Sequence, residues 1–125
     1  MGALLYFRFP ASRRLKLSRD FARVRAEGRT VRGGLLLLGV LDLGDASEFR
    51  VGLVTSKRVG GAVQRNRVRR RLREIVRRHQ HEMRKGVWLV VVTRPAAGRA
   101  TSAELEAEWL KLARRTDVLI PSADS

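Results

Sequence analysis

The stretch from Lys57 to His79 constrains the fold more than any other part of the sequence, because apolar residues recur in it at helical spacing. It carries ten Lys or Arg residues and a single acid, Glu74. Its apolar positions follow the spacing i, i+4, i+7 and i+8, and they are Val68, Leu72, Ile75 and Val76. At about 100° per residue they fall on one side of a helix. The sequence therefore predicts a helix over about 62–81 that packs by one apolar stripe.

The rest of this helix carries like charges, and we call it the arginine face. Its members point away from the stripe or lie on its flanks: Arg65, Asn66, Arg67, Arg69, Arg70, Arg71, Arg73, Arg77 and Arg78. Like charges at i and i+4 destabilise an isolated helix by about 0.2–0.5 kcal/mol per pair. A helix that retains this cost is typical of a surface that binds a polyanion.

Basic residues are spread along the sequence, which indicates a folded basic domain and not a charged tail. The 125 residues have a formal net charge of +15, and the charge runs from Arg8 to Arg115 between apolar positions. Nucleic acid is the expected partner and an anionic membrane the weaker alternative, because arginine binds phosphate in bidentate fashion and stacks on bases. There is no cysteine, and no segment approaches the ~20 apolar residues of a membrane span. We therefore expect a cytoplasmic protein with no membrane partner and no small-molecule substrate.

Two further helices are predicted on either side of the central stretch. The first is expected to begin at a Ser18 N-cap and to end at Gly28. The last is expected at 102–115, with Thr101 or Ser102 as its N-cap and an apolar stripe along one side.

Three apolar runs predict strands, at 35–43, 49–56 and 87–93. The first two are expected to form an antiparallel hairpin because their connection is short. The third is apolar on both faces and is expected to be central. The predicted order is α-β-β-α-β-α, a small sheet covered by helices in one α/β domain at 13–115. Residues 1–12 are expected to form an irregular lead and residues 116–125 a frayed tail.

The side chains that a protein nuclease needs are not clustered in this sequence. Two-metal sites use grouped carboxylates, whereas the acids here are scattered around a turn at 42–48 and along the last helix. His79 and His81 are two residues apart and do not share a helical face, and His79 is expected to pack or to cap a helix. We therefore predict no catalytic residue and no metal site in this chain.

Aromatic side chains, on which single-stranded nucleic acid is commonly stacked, are few. Phe21 is open to two roles, stacking on a base or anchoring the first helix in the core. Trp88 and Trp109 are expected in the core.

The run SKRVGGAVQRNRVRRRLRE resembles the signature of the bacterial ribonuclease P protein subunit, centred on Arg65-Asn66-Arg67. Three other segments match the same family in order and spacing: RLKLSRDFARVRAEG, RVGLVTSKRVG and WLVVVTRPAA. The resemblance covers roughly residues 13–115. It implies a single α+β sandwich with a small mixed sheet and a left-handed crossover around the arginine-rich helix, where chain-handedness rules alone predict a right-handed one.

The resemblance also implies a function in which RNA carries the chemistry. The family serves as the protein component of ribonuclease P, whose catalytic RNA removes the 5′ leader of precursor tRNA in a metal-dependent hydrolysis. The implied cofactors are the catalytic RNA subunit and Mg²⁺ bound mainly by that RNA. The implied partners are ribonuclease P RNA and precursor tRNA, with the protein binding both the RNA and the leader.

Site residues follow from the matched positions. Those that would face the catalytic RNA are Lys57, Arg58, Arg65, Asn66, Arg67, Arg69, Arg70 and Arg73. Phe21 matches an aromatic of the family's leader-binding cleft, between the first helix and the sheet, and Arg94 is expected to reach that cleft. The sequence departs from the family at Arg25, where a second aromatic is common, and at or next to Gly39, where another is often found. Leader binding is therefore expected to depend more on phosphate charge and less on base stacking.

Two other readings compete with this one. A structural RNA-binding protein of ribosomal type would share the size and charge but not the three matched segments. A protein-only nuclease is disfavoured by the missing cluster of carboxylates or histidines.

Overall fold

Four strands form one mixed sheet, with two helices on one face and one on the other. The computed structural model describes residues 13–15 and 17–120. In chain order the elements are α1 (Ser18–Glu27), β1 (Arg29–Arg32), β2 (Leu36–Asp42), β3 (Arg50–Val54), α2 (Ala62–His79), β4 (Val87–Thr93) and α3 (Ser102–Arg115). Short 3-10 turns lie at Lys57–Val59, Gln80–Glu82 and Pro95–Arg99. This architecture confirms the predicted α+β single domain with a small mixed sheet.

The strand order is β1-β2-β4-β3, and it confirms that β4 is central. The predicted hairpin between β2 and β3 is wrong, because β4 lies between them. β2 pairs antiparallel with β4 over seven residues, from Leu36 opposite Thr93 to Asp42 opposite Val87. β3 pairs parallel with the other edge of β4. The two long apolar strands take the inner positions because each buries both faces, whereas β3 is short and has exposed ends.

Strand β1 was not predicted. Its sequence is RTVR and its residues are exposed or half-buried, so it has none of the apolar alternation by which strands are recognised. It pairs antiparallel with β2, from Arg29 opposite Val40 to Arg32 opposite Leu37. The observed order is therefore α-β-β-β-α-β-α.

The sheet separates two apolar layers. The larger core lies between the sheet and helices α2 and α3, and it includes Leu38, Leu89, Leu72, Leu105 and Trp109. The smaller layer lies between the sheet and α1, and its buried members are Leu15, Val24, Leu41 and Val90. The face of the sheet that lies opposite the arginine-rich helix is thus only partly covered, and this leaves room for a cleft.

The predicted ends of α1 and α3 agree with the structure except at the start of α1. Helix α1 ends at Gly28 as predicted, but its N-cap is Leu17 and Ser18 is the first helical residue, with no side-chain cap. Helix α3 begins after Thr101, whose hydroxyl accepts from the Glu104 N–H while the Glu104 carboxylate accepts from the Thr101 N–H. This reciprocal pair is a capping box.

The C-terminal segment was predicted to fray from residue 116, but its described part packs against the body. Thr116 and Val118 are buried, Leu119 forms a bridge with Met83, and the Ile120 N–H donates to the Glu82 carbonyl at 2.6 Å. Burial of Val118 and the backbone bond of Ile120 offset the entropy that a free tail would keep. Residues 121–125 and the predicted lead at 1–12 lie outside the described residues.

Helix α2 connects β3 to the adjacent parallel strand β4. This is the crossover for which the family resemblance implies a left-handed path, and its handedness stays a prediction. None of the described helices is long and apolar enough to cross a bilayer.

Candidate RNA interface

Helix α2 is docked by the four residues of its predicted stripe. Val68, Leu72, Ile75 and Val76 are all buried, with at most 2 % of their surface exposed. The helix is preceded by the 3-10 turn Lys57–Val59. This turn is capped by the Ser56 hydroxyl, which accepts a hydrogen bond from the Arg58 N–H at 3.1 Å. Gly60 has φ +146°, a conformation that favours glycine, and it redirects the chain into α2. Lys57 and Arg58 are thus placed at the N-terminal end of the arginine face.

One side of α2 forms a groove with strand β3 and the segment before α1, and we call it the β3-side groove. It has a volume of about 380 Å³. It is lined by Arg14, Leu15, Val51, Leu53, Arg69, Arg73 and Val76. The Arg69 Nε atom lies 3.4 Å from the Thr55 hydroxyl, a long contact that holds its guanidinium only weakly.

The other side of α2 forms a groove with the start of helix α3, and we call it the α3-side groove. It has a volume of about 440 Å³. It is lined by Arg67, Arg70, Arg71, Glu74, Arg78 and Ser102. Sequence reasoning placed Arg71 and Arg78 on a flank of the helix but assigned them no role. Nothing local in the sequence shows that α3 begins beside them.

Most predicted RNA-facing side chains are unpaired. Within residues 13–15 and 17–120, six of them form no side-chain hydrogen bond or ion pair: Lys57, Arg58, Asn66, Arg67, Arg70 and Arg73. Arg65 is half-buried, and its Nε atom is buried with no partner in the same part of the chain. The structure thus brings the predicted residues together on one helix and the turn before it.

Arg77 differs from its neighbours because Glu74 binds it. The two side chains form an ion pair three residues apart. The hydrogen bond from Arg77 lowers the pKa of the Glu74 carboxyl below its ordinary value, and the same bond raises the pKa of Arg77. This pair and the ion pair of Arg78 with Glu106 partly neutralise the C-terminal end of the arginine face, whereas Arg67, Arg70 and Arg73 stay unpaired within the described residues.

A cleft lies on the opposite face of the sheet, between α1 and the strands, and we call it the α1 cleft. It has a volume of about 280 Å³. It is lined by Phe21, Val24, Arg25, Thr30, Leu37, Gly39, Val54, Val90 and Val92. Phe21, Arg25 and Gly39, which the sequence singled out, therefore share one cleft, and among the described residues Phe21 is its one aromatic lining residue.

Arg94 is held next to the turn between β1 and β2 by two hydrogen bonds. Its Nη1 atom donates to the Gly33 carbonyl at 2.8 Å, and its N–H donates to the Leu35 carbonyl at 2.8 Å. These bonds hold it at the turn between β1 and β2, and it is not among the residues that line the α1 cleft. Its contribution to leader binding stays a prediction.

The two tryptophans were both expected in the core, and the structure confirms this for Trp109 but not for Trp88. Trp109 is fully buried and stacks on His79 at 5.6 Å between ring centroids, so both side chains are packed as predicted. Trp88 was also expected in the core, but it is half-buried on the α1 face. The Arg23 guanidinium lies 5.5 Å from the centroid of its ring, a cation–π contact.

The described residues hold no group of three or more His, Asp or Glu placed to bind a metal ion. The side chain of His79 is instead bound within the fold. Its two ring nitrogens lie 2.5 Å from the Glu82 carboxylate and 2.9 Å from the Glu106 carboxylate. The imidazole thus links α2, the following turn and α3, and its polar atoms are used within the fold.

Comparison with known proteins identifies relatives of this chain. The family model described as Ribonuclease P matches residues 9–117. The ribonuclease P protein component of Beutenbergia cavernae is 45% identical over 97 residues, which are 78% of this chain and 82% of that protein. The protein of the same name from Thermus scotoductus is 43% identical over 106 residues, 84% of this chain but 60% of the longer relative. The solved RNase P protein of Thermotoga maritima superposes with a TM-score of 0.72 at 29% identity, covering 82% of this chain and 96% of that one.

Proposed function

The chain belongs to the bacterial ribonuclease P protein family, and from this membership we propose that it binds the catalytic RNA of that ribonucleoprotein through helix α2. Proteins of this family are subunits of an RNA endonuclease, a hydrolase that processes tRNA. The proposed complex would act in the cytoplasm.

The observation that carries this proposal is the unpaired positive charge on the arginine face and on the turn Lys57–Val59 before it. Six predicted RNA-facing side chains have no partner within the described part of the chain. Five of them are positively charged, and their mutual repulsion is a cost to the free protein that an RNA backbone removes by placing phosphates between them. Arginine suits this role because its planar guanidinium binds phosphate through two parallel N–H···O bonds. We assign Lys57, Arg58, Arg65, Asn66, Arg67, Arg69, Arg70 and Arg73 to this contact.

The second part of the proposal is that the α1 cleft binds the 5′ leader of precursor tRNA. Phe21 offers one ring on which a base can stack. Arg25 stands in the cleft where relatives commonly have an aromatic, and it offers a guanidinium for a phosphate or for stacking. Gly39 adds space in place of a side chain. Leader recognition in this chain thus depends more on the phosphate backbone of the leader, and less on the identity of its bases, than it would in a cleft with several aromatics.

The roles that we assign to the RNA and to the protein follow from the side chains that are present. We propose that the RNA carries the hydrolysis and binds Mg²⁺, while the protein supplies positive charge and a leader site. The protein lowers the Mg²⁺ requirement because its arginines neutralise phosphates that metal ions would otherwise have to screen.

A leader-length series tests the two binding roles together. The affinity of the reconstituted holoenzyme is measured for precursor tRNA with leaders of increasing length and for mature tRNA. The proposal predicts that the protein increases affinity for precursors and leaves affinity for mature tRNA nearly unchanged. Equal enhancement for both substrates would show that the protein binds the RNA but not the leader. Tight binding to ribosomal RNA instead of the catalytic RNA would favour the ribosomal-type alternative.

A further inference from the structure

The arginines of helix α2 point to two opposite sides. At about 100° per residue, Arg67 and Arg69 point about 160° apart around the helix axis, and so do Arg71 and Arg73. The structure agrees with this geometry, because Arg69 and Arg73 line the β3-side groove whereas Arg67 and Arg71 line the α3-side groove. A helix with its side chains is about 10–12 Å across. An RNA backbone that lies along one side therefore does not also lie along the other.

The α3-side groove is built from arginines that the fold holds in place. The Arg71 Nη1 atom donates to the Ala100 carbonyl at 2.8 Å, and Ala100 is buried. The Arg78 guanidinium lies 3.3 Å from the Glu106 carboxylate, which also contacts His79 at 2.9 Å. A guanidinium has five N–H donors, so one such bond leaves most of these donors available. Pre-positioned side chains lose less conformational entropy when they bind a ligand.

The charge of this groove is only partly neutralised, because Glu106 pairs with Arg78 alone among the lining arginines. Its lining includes four arginines and one acid, Glu74. Glu74 is hydrogen-bonded to Arg77, which is not a lining residue, so its charge is already shared. Arg67 and Arg70 form no hydrogen bond or ion pair with any other residue the structure describes. The groove is thus a concentrated positive site that favours an anion.

The chemistry of the lining favours the phosphate backbone over bases. None of the described lining residues is aromatic, so this part of the chain offers no ring for base stacking in the groove. Arginine and serine are side chains that commonly contact phosphate oxygens. Arg70 lines this groove and is also one of the residues that we assign to the RNA contact. A ligand in the groove therefore adjoins the proposed RNA-facing surface.

We propose that the α3-side groove is a second phosphate-binding site, which holds a segment of the catalytic RNA backbone separate from the segment at the β3-side groove. Arg71 and Arg78 are then RNA ligands in addition to the residues of the family signature. Helix α2 lies between two backbone segments and fixes their separation at about the width of one helix. This inference rests on the proposed function, because it takes the catalytic RNA as the partner.

Three double variants, each losing two positive charges, test the inference. Arg67→Gln with Arg78→Gln alters the α3-side groove, and Arg69→Gln with Arg73→Gln alters the β3-side groove. The control is a double variant of two exposed residues at the end of α3 that line neither groove, Arg114→Gln with Arg115→Gln. Each protein is titrated with the ribonuclease P RNA of the same organism over a series of salt concentrations. Hydroxyl-radical footprints then map the protected RNA segments, and thermal melts check folding.

The proposal predicts that the α3-side variant weakens binding by roughly tenfold or more relative to the control, since hydrogen bonds to charged groups are involved. Its plot of log affinity against log salt should flatten by up to about two units. It should lose protection of an RNA segment that the β3-side variant still protects, and the β3-side variant should show the converse. The single variant Arg67→Gln, at a residue without a partner in the described chain, should lose protection of the same segment as the α3-side pair.

Each contrary result has a distinct meaning. If the α3-side variant matches the control while the β3-side variant binds weakly, the proposed function stands and the second site is refuted. An acidic protein surface would then be the better candidate partner for the groove. If both variants lose the same RNA segment, α2 follows a single backbone and the inference fails. If Arg67→Gln loses no protection while the pair does, the loss reflects a disturbed contact between Arg78 and Glu106, and the inference also fails. If neither groove variant weakens binding, the proposed function fails as well.

Discussion

The ring of Phe21 fills the space above Gly52. A Cβ atom at residue 52 would lie 2.5 Å from the Cε1 and Cζ atoms of that ring, closer than any normal contact. Helix α1 therefore approaches strand β3 at a point where the strand has no side chain. Phe21 remains half-buried in this position and still lines the α1 cleft, so the ring has one side in the fold and one side on the cleft.

Replacing Phe21 with Ala should weaken binding of precursor tRNA more than binding of mature tRNA. Stacking on an aromatic ring is worth about 1–3 kcal/mol per base, and only the precursor has a leader to stack. The comparison is made in the reconstituted holoenzyme, with circular dichroism to confirm folding. Equal losses for the two ligands would show that the ring serves the core alone.

Replacing Gly52 with Ala should destabilise the protein by about 1–3 kcal/mol, the usual cost of overpacking. The added methyl group collides with the Phe21 ring and lies 3.2 Å from the Leu15 Cβ atom, so α1 must shift. The matched control is Gly34→Ala, because the nearest atom to a Cβ there is the Glu108 Oε1 at 3.9 Å, an ordinary contact. Urea denaturation should show a lower midpoint for the first variant only, and equal midpoints would mean that α1 moves without cost.

Replacing Arg67, Arg69 and Arg70 together with Gln should leave the fold intact and sharply lower affinity for the catalytic RNA. All three side chains are exposed and lie away from the buried stripe of α2. Stability should stay the same or rise slightly as like-charge repulsion falls. Each lost phosphate contact should flatten the plot of log affinity against log salt by a little under about one unit. Unchanged affinity and slope in a folded variant would show that α2 does not face the RNA.

The helices and the central strand were predictable because their signals are local. The stripe of α2 repeats within one segment of the sequence, and all four of its residues are buried. The capping box of α3 likewise lies within four residues, from Thr101 to Glu104. The apolar run of β4 is continuous and bounded by Pro95, which cannot extend a central strand.

The strand partners and the grooves were not predictable, since they depend on contacts between distant segments. The pairing of β2 with β4 was missed because a short connection to β3 suggested a hairpin instead. Glu108 accepts hydrogen bonds from the N–H groups of Gly34, Leu35 and Leu36 at 2.6–3.1 Å. These bonds anchor the β1–β2 turn to α3, and no periodicity in either segment indicates them.

The capping box makes the stability of α3 depend on pH. Hydrogen bonds from the Thr101 backbone and side chain lower the pKa of the Glu104 carboxyl. A carboxyl whose pKa is lower in the folded state contributes stability that is present above its ordinary pKa and lost as the pH falls through the lower, folded value. The difference in melting temperature between the native protein and Glu104→Gln should therefore shrink below the ordinary range of a glutamate pKa. A difference that stays constant into acid would show that the charge of Glu104 has no role in the cap.

The central claim is that this chain assists a catalytic RNA and does not itself cut. The direct measurement is the rate of 5′ cleavage of precursor tRNA at low Mg²⁺ with the protein alone, with the ribonuclease P RNA alone, and with both. We predict no cleavage by the protein alone, slow cleavage by the RNA alone, and a clear acceleration when the two are combined. Specific 5′ cleavage by highly purified, RNA-free protein would contradict the account, and so would a cleavage rate of the RNA that the protein leaves unchanged.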